Sequence, residues 1–218
     1  MSTDPNPAYI NMRADMVALV EQPWSSLLDI GCAQGATASF LRDQRPGARA
    51  VGVELDPALA AVAAGRLDEV LVMDAVSALE LLVEQGRTFD LVICGDILEH
   101  LSDPWAALKL IRALCPAGHV LISLPNVAHY STLVALLREQ WPYNTRGIHD
   151  QTHLRWFARH NLVQLFDAAG FVETRRVVKH RLIEQPHWLN PKVEPLLRKL
   201  PLLRRYTVFQ FLCVLRPR

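Results

Sequence analysis

Three histidines and a series of acidic residues carry the chemistry that can be read in this sequence. His100 closes the run Gly95-Asp96-Ile97-Leu98-Glu99-His100, and His149 and His153 flank Asp150 in His149-Asp150-Gln151-Thr152-His153. Imidazole is the side chain that changes charge nearest neutral pH, so each of the three is a candidate general base or acceptor ligand. A carboxylate such as Asp150 can fix a histidine tautomer. The competing readings are bland: His100 packing a crossover helix, His149 and His153 only ordering a loop. H-D-x-x-H supplies two metal-type ligands with no third that can be placed, so no metal is assigned.

A second constellation lies upstream. Leu27-Leu28-Asp29-Ile30-Gly31-Cys32-Ala33-Gln34-Gly35 is answered by Val51-Gly52-Val53-Glu54-Leu55-Asp56. An apolar strand stops at a glycine-bearing turn, a helix follows, and a second apolar strand ends on a carboxylate. Glycines let a backbone approach a ligand closely. A carboxylate at a strand tip can accept both hydroxyls of a ribose. The pair points to a nucleoside cofactor. The spacing G-x-x-x-G is not the dinucleotide fingerprint G-x-G-x-x-G, and the phosphate-loop pattern is absent.

The elements that must position these residues alternate. Candidate strands are 27–30, 50–54, 69–73, 90–94 and 119–123, short and rich in Val, Ile and Leu, as in a parallel sheet covered on both faces. Helical patterns lie near 36–44, 57–66, 75–85 and 104–114. Pro57 and Pro104 stand at first-turn positions, and Gly118 is a candidate helix stop. This is the rhythm of a doubly wound α/β sheet. Residues 124–158 break it with a helix near 129–139 and a polar, aromatic stretch, read as a lid or acceptor insertion within a single domain spanning 1–218. A helix near 159–169 follows. The runs 171–179 and 207–215 are expected to pair as an antiparallel edge hairpin, around a basic helical segment 188–205 read as a solvated face.

Composition bounds the rest. The chain has 218 residues, half of them apolar, enough for a large core, and a net charge of +1 that gives no global field for nucleic acid or a membrane surface. Its four cysteines (Cys32, Cys94, Cys115, Cys213) form no C-x-x-C pair. They suit packing in a reduced cytoplasm. Residues 1–8 carry no charged-then-apolar signal. No stretch of about 18 uncharged apolar residues exists, so no transmembrane helix is expected.

Asp29-Ile30-Gly31-Cys32-Ala33-Gln34-Gly35 resembles the first motif, D-x-G-x-G-x-G, of the class I S-adenosylmethionine-dependent methyltransferases. Ala33 replaces the middle glycine, which suits a negative φ there. The stretch from Phe89-Asp90 to Leu98-Glu99-His100 is similar to the family's fourth strand. Pro116-Ala117-Gly118-His119-Val120-Leu121-Ile122-Ser123 is similar to its fifth. The resemblance implies a Rossmann-like doubly wound seven-stranded sheet with an antiparallel C-terminal edge hairpin, and S-adenosyl-L-methionine as cofactor, leaving S-adenosyl-L-homocysteine. It implies Asp29, Gly31, Cys32 and Gly35 at the cofactor turn, and Glu54 and Leu55 at the ribose. Asp74 and Ala75 would meet the adenine, and Asp96 and Ile97 the methionine end. Arg13, in a pattern with Tyr9 and Asn11, would meet the cofactor carboxylate. Asp74 also reads as a helix N-cap, Asp29 as a brace for the glycine turn, and Arg13 as a surface residue. His149 to Phe157 and the following helix resemble the ubiquinone-type O-methyltransferases and methyltransferases of glycan and natural-product clusters, which implies a small-molecule or sugar acceptor methylated at oxygen. N-P-P-[YF] is absent. Cys115-Pro116 lies at the wrong place for a nucleophile. The rival readings are transfer to nitrogen or to a macromolecule, a nicotinamide-dependent reductase, and a non-catalytic cofactor-binding partner protein. Neither the acceptor's identity nor the oligomeric state follows from the sequence.

Overall fold

The computed structural model describes residues 11–185, 187–199 and 204–218; Tyr9 and the N-terminal segment 1–8 lie outside them. Seven strands form one sheet: β1 (Ser26–Ile30), β2 (Arg49–Glu54), β3 (Glu69–Val72), β4 (Leu91–Gly95), β5 (His119–Pro125), β6 (Phe171–His180) and β7 (Val208–Pro217). Their order is β3-β2-β1-β4-β5-β7-β6. The first five are parallel, and β7 runs antiparallel to both β5 and β6. The helices are α1 (Ala14–Val17), α2 (Ala36–Asp43), α3 (Pro57–Ala64), α4 (Ala75–Glu84), α5 (Pro104–Leu114), α6 (Tyr130–Leu137), α7 (Arg159–Ala168) and α8 (Asn190–Lys199). This is the expected doubly wound sheet with its antiparallel edge.

Period-two alternation sorts the strand residues into two cores. Leu28, Ile30, Val51, Val53, Val92, Cys94, Val120 and Ile122 pack under α4, α5 and α7. Leu27, Ala50, Leu91, Ile93 and Leu121 face Met16, Ala38, Leu41 and Ala63 on the other side. Each fully buried leucine or isoleucine there contributes roughly 1.5–3 kcal/mol. The helix starts follow the sequence cues. Asp56, Asp74 and Asp103 each accept backbone N–H groups of the turn they open, and Pro57 and Pro104 begin α3 and α5.

Two expectations are corrected. Helix α5 ends at Leu114, four residues before Gly118, so that glycine is not its stop. A Cβ on Gly118 would lie 2.1 Å from the Asp90 carbonyl oxygen; the residue is glycine because β5 starts against the backbone leading into β4. The runs 171–179 and 207–215 do pair antiparallel, but they do not both stand at the edge. β7 is buried along nearly its whole length because it lies between β5 and β6, so of these two strands only β6 is at an edge, β3 forming the opposite edge of the sheet.

The insertion 124–158 is a packed cap. Asn126 bridges Phe157, and Leu154 and Arg155 both donate to the Glu99 carbonyl, at 2.8 and 3.0 Å. Ile148, His149 and Phe157 are buried. Residues 181–185, which follow β6, lie over the same end of the sheet as a second cap segment. The Glu184 carboxylate accepts the Ile148 N–H at 3.1 Å, and the His129 ring Nε2 lies 3.0 Å from the Arg181 carbonyl.

Candidate functional site

A cavity of about 460 Å³ opens where β1 and β4 end and the two cap segments meet. The turn after β1 forms its floor. Gly31 and Gly35 have φ of +73° and +72°, the left-handed region that glycine enters without strain. A Cβ on Gly31 would lie 2.8 Å from Ile97 Cδ1, so Ile97 caps the glycine turn and is not itself among the lining residues. Ala33 has φ of +49°. The expected negative φ is therefore corrected: alanine stands in a glycine-type conformation. Glu54, at the tip of β2, holds the turn there. Its Oε2 accepts the Ala33 N–H at 2.8 Å and its Oε1 the Asp56 N–H at 2.9 Å. Glu54 thus does the bracing that Asp29 was a candidate to do.

Leu55, beside Glu54, is 68% exposed, and Val72, at the end of β3, is 53% exposed. Asp74 caps α4 with one oxygen, Oδ1. The Ser77 side chain first, and then these backbone N–H groups, hold its carboxyl below its usual range. Ala75 is the first residue of α4. Glu54, Leu55, Asp74 and Ala75 therefore follow one another along the strand ends outside the cavity, an exposed apolar shelf with a carboxylate at each end. Gly35 lies behind the turn, its α-carbon face against Leu67 and Ala63.

Inside the cavity the charges are organised around Arg13. Its guanidinium bonds Asp15 twice, Ser123 Oγ at 3.3 Å and Asp96, which takes four of its five N–H donors. Asp96, at φ +55°, also accepts Ser123 O–H at 2.8 Å and Gln210 N–H at 2.6 Å. Burial alone would lower the Arg13 pKa, but Asp96 and Asp15 more than offset it and hold the guanidinium charged. Asp29 is 5% exposed on the cavity wall. Burial pushes its carboxyl up to about 7, with Arg13 opposing and Glu54 adding. Burial likewise raises the Cys32 thiol, with Asp29 and Glu54 adding to it.

The three histidines separate. His100, in a 3₁₀ turn after β4, and His153 both line the cavity. Their rings stand edge to face with centroids 4.7 Å apart. His153 Nδ1 lies 3.1 Å from the Ile148 carbonyl. Burial lowers its pKa, and His100 adds to that. His149 is not in the lining. It is 1% exposed, with Nε2 3.0 Å from Thr132 Oγ1 and Nδ1, which makes no hydrogen bond among the described residues, 3.4 Å from Glu184, so it packs between α6 and the second cap segment. Asp150 fixes neither flanking histidine. Its Oδ1 accepts the Thr152 N–H at 2.9 Å and the Thr152 hydroxyl at 2.6 Å.

Several lining residues escape the sequence reading. Glu99 is 1% exposed, with Oε2 lacking a hydrogen-bond partner; burial raises its pKa well above the usual carboxylate range, and Asp96 adds to that. Donor atoms of Glu99, His100 and His153 lie within 4.8 Å of one another, a grouping different from the H-D-x-x-H pair. Arg181 stacks 3.9 Å from the Phe209 ring centroid and donates to the Glu184 carbonyl. Lys179, Glu184 and Gln210 complete that wall. The E-H dipeptide signals Glu99; nothing local signals the residues between β6 and β7, which reach the cavity only through the strand order.

A methyltransferase-domain family model matches residues 11–174. A ubiquinone biosynthesis O-methyltransferase of Acinetobacter baumannii (strain AYE) is 28% identical over 178 residues, covering 77% of this chain and 73% of the relative. Among solved structures, a SAM-dependent methyltransferase from Archaeoglobus fulgidus superposes with a TM-score of 0.65 at 18% identity, covering 94% of this chain and 91% of that one. Magnesium protoporphyrin IX methyltransferase from Synechocystis PCC 6803, with SAM bound, does so with a TM-score of 0.54 at 14% identity, covering 93% and 75%. The turn with its left-handed glycines, the carboxylate at the tip of β2 and the cavity beside them fit an adenosyl cofactor. The chain belongs to the methyltransferase-domain family and is a class I S-adenosylmethionine-dependent methyltransferase.

Proposed function

We propose that the enzyme methylates a hydroxyl oxygen of a small molecule, a phenol-like or sugar hydroxyl, with His100 as the general base. The observation that carries this reading is an imidazole lining the cavity at the end of β4, one residue after a buried acid and next to the cofactor turn. The relative's printed name, an O-methyltransferase of ubiquinone biosynthesis, supports oxygen and a small acceptor. Four free, buried cysteines support a reducing cytoplasm. Among the described residues no helix is long and apolar enough to cross a membrane.

The residues divide the work. Glu54, fixed by two backbone N–H groups, keeps a lone pair on each oxygen for the ribose hydroxyls. Leu55 supplies the apolar surface on which the adenine lies, and the free oxygen of Asp74 receives its amino group, with the Ala75 N–H meeting a ring nitrogen. Gly31, Cys32 and Asp29 line the path to the methionine end. There the remaining Arg13 N–H is free for a carboxylate, and Asp96 with Ile97 holds the turn. The sulfonium supplies the activated methyl group. The protein's task is to hold the acceptor oxygen in line and remove its proton. His100 takes that proton, and His153 beside it orients the acceptor.

Radiolabelled methyl transfer to a panel of catechols and sugars tests the reading. His100→Ala should cut kcat by about 100-fold or more while calorimetric binding of S-adenosylhomocysteine is retained. Full turnover by His100→Ala, or transfer to amines alone, would overturn it.

A further inference from the structure

We infer that Thr152 and Asp150 form a relay that sets the tautomer of His100 and so makes its Nε2 the proton acceptor; this rests on the reading of His100 as base. The argument is a count of protons. A threonine hydroxyl has one hydrogen to donate and two lone pairs. Thr152 O–H points at Asp150 Oδ1, 2.6 Å away, and that same oxygen also accepts the Thr152 backbone N–H at 2.9 Å. An oxygen that accepts two donors fixes the direction of both bonds. The hydroxyl proton is therefore committed to Asp150.

Thr152 Oγ1 also lies 3.1 Å from His100 Nδ1. With its proton committed, Oγ1 can only accept. The hydrogen of that contact belongs to Nδ1, and a neutral imidazole with Nδ1–H has a bare Nε2. A carboxylate, a hydroxyl and an imidazole in series thus leave a lone pair on the ring nitrogen remote from the relay. His153 is oriented alike: its Nδ1 faces a carbonyl oxygen, the Ile148 acceptor, so its Nδ1 carries the hydrogen. The edge-to-face contact of the two rings fixes the His100 ring plane from the other side.

The relay also accounts for the direction of proton flow. When the acceptor oxygen attacks the methyl carbon, its O–H bond breaks toward Nε2, and the carbon–sulfur bond breaks with its electron pair left on sulfur. The imidazolium then carries both ring hydrogens. Its Nδ1–H stays on Thr152 Oγ1, and the hydroxyl dipole and the Asp150 charge behind it stabilise the positive ring. The Nε2 proton leaves to solvent after the product departs. Thr152 touches no reacting atom; it is a positioning residue.

The test needs no identified acceptor for its first arm. Imidazole nitrogen resonances of ¹⁵N-histidine-labelled enzyme saturated with S-adenosylhomocysteine, assigned against His100→Gln, report the tautomer. Wild type and Thr152→Ser should show protonated Nδ1 and bare Nε2 at His100. Thr152→Val should shift the ring toward Nε2–H. In the second arm, with any acceptor that is turned over, Thr152→Val should lower kcat about tenfold at unchanged KM, the effect of one hydrogen bond on the base, and Thr152→Ser should restore it. A His100 with Nε2–H in wild type, or an unchanged tautomer in Thr152→Val, would overturn the relay even if His100 is the base. A relay-type tautomer together with full turnover by His100→Ala would instead overturn the base assignment. Loss of turnover on chelation, restored by a divalent cation, would replace the relay with a metal held by the same bare nitrogens.

Discussion

The two halves of the site, the strand-tip shelf with its glycine turn and the capped cavity, are built differently. The cofactor half comes from β1 to β4 and the turns directly after them. Its contacts lie within the turns themselves or between neighbouring strand tips: Asp56 with Glu54, Asp74 with Val76 and Ser77, and Ala33 with Glu54. The acceptor half joins two segments that only the sheet brings together, through Ile148 with Glu184 and His129 with Arg181. A cofactor common to many enzymes can be met by one local turn and two strand tips. The proposed acceptor surface, assembled from 126–158 with Arg181, Glu184, Gln185, Phe209 and Gln210, can vary without disturbing that turn. The contrast predicts that substitutions in the first half act on cofactor binding and pH response, and those in the second on acceptor use.

The largest effect should come from Glu54→Ala. It removes the carboxylate proposed to accept the two ribose hydroxyls and frees the brace on Ala33. Two hydrogen bonds to a charged group amount to about 3–5 kcal/mol, or roughly 10²–10³-fold or more in affinity for S-adenosylhomocysteine by calorimetry. Binding within about threefold of wild type would show that the strand tip does not hold the cofactor.

Asp29→Asn comes next and acts through pH. The native state holds the Asp29 proton up to about pH 7, against 3.8 ordinarily. Because the native state binds more protons than the unfolded chain in that interval, stability is full below about pH 4 and falls as pH rises through 7. Asparagine has no such dependence. The stability of the variant over wild type, from urea unfolding, should therefore grow by about 3 kcal/mol between pH 5 and pH 8. Parallel stabilities at the two pH values would mean that Asp29 is not held protonated.

His149→Ala sharpens the other half. The side chain is buried and packs between α6 and the second cap segment. Its loss should cost about 2 kcal/mol and lower Tm by roughly 4–8 °C, raise KM for the acceptor, and leave cofactor affinity in place. Abolished turnover at unchanged Tm would return His149 to the chemistry.

This division also explains what the sequence made legible. The alternation of short apolar strands with capped helices is a local pattern, and every strand expected between 27 and 123 forms within two residues of its expected ends. Glu54 stands out because a carboxylate ends an apolar run. Asp150 misled because proximity in sequence put it between two histidines, whereas the turn aims it at Thr152. His149 misled for a related reason: its ring is buried between Thr132 and Glu184 and points into the cap, not the cavity. Arg181 and Glu184 carry no local signal at all, since they reach the site only because β7 inserts between β5 and β6.

The smallest effect tests the departure at Ala33. Its φ of +49° is a conformation that costs an L-residue roughly 1–2 kcal/mol and glycine nothing. Ala33→Gly relieves that strain. It also frees the unfolded chain, which costs roughly 0.5–1 kcal/mol, and it removes a methyl group that is 9% exposed, worth about 0.8 kcal/mol. The terms nearly cancel, so Tm should move by less than about 4 °C, with affinity for S-adenosylhomocysteine within about twofold. A near cancellation is the physical reason alanine can occupy a position built for glycine: the Glu54 brace holds the Ala33 N–H in place whichever residue stands there. The double variant Ala33→Gly with Glu54→Ala sharpens the point. Without the brace, glycine is free to leave the left-handed region at no steric cost, whereas the braced single variant is held in it. The double variant should therefore melt below the sum of the two single changes by more than the few tenths of a kcal/mol expected of independent sites, and strict additivity would show that the turn is held by packing under Ile97 and not by the carboxylate.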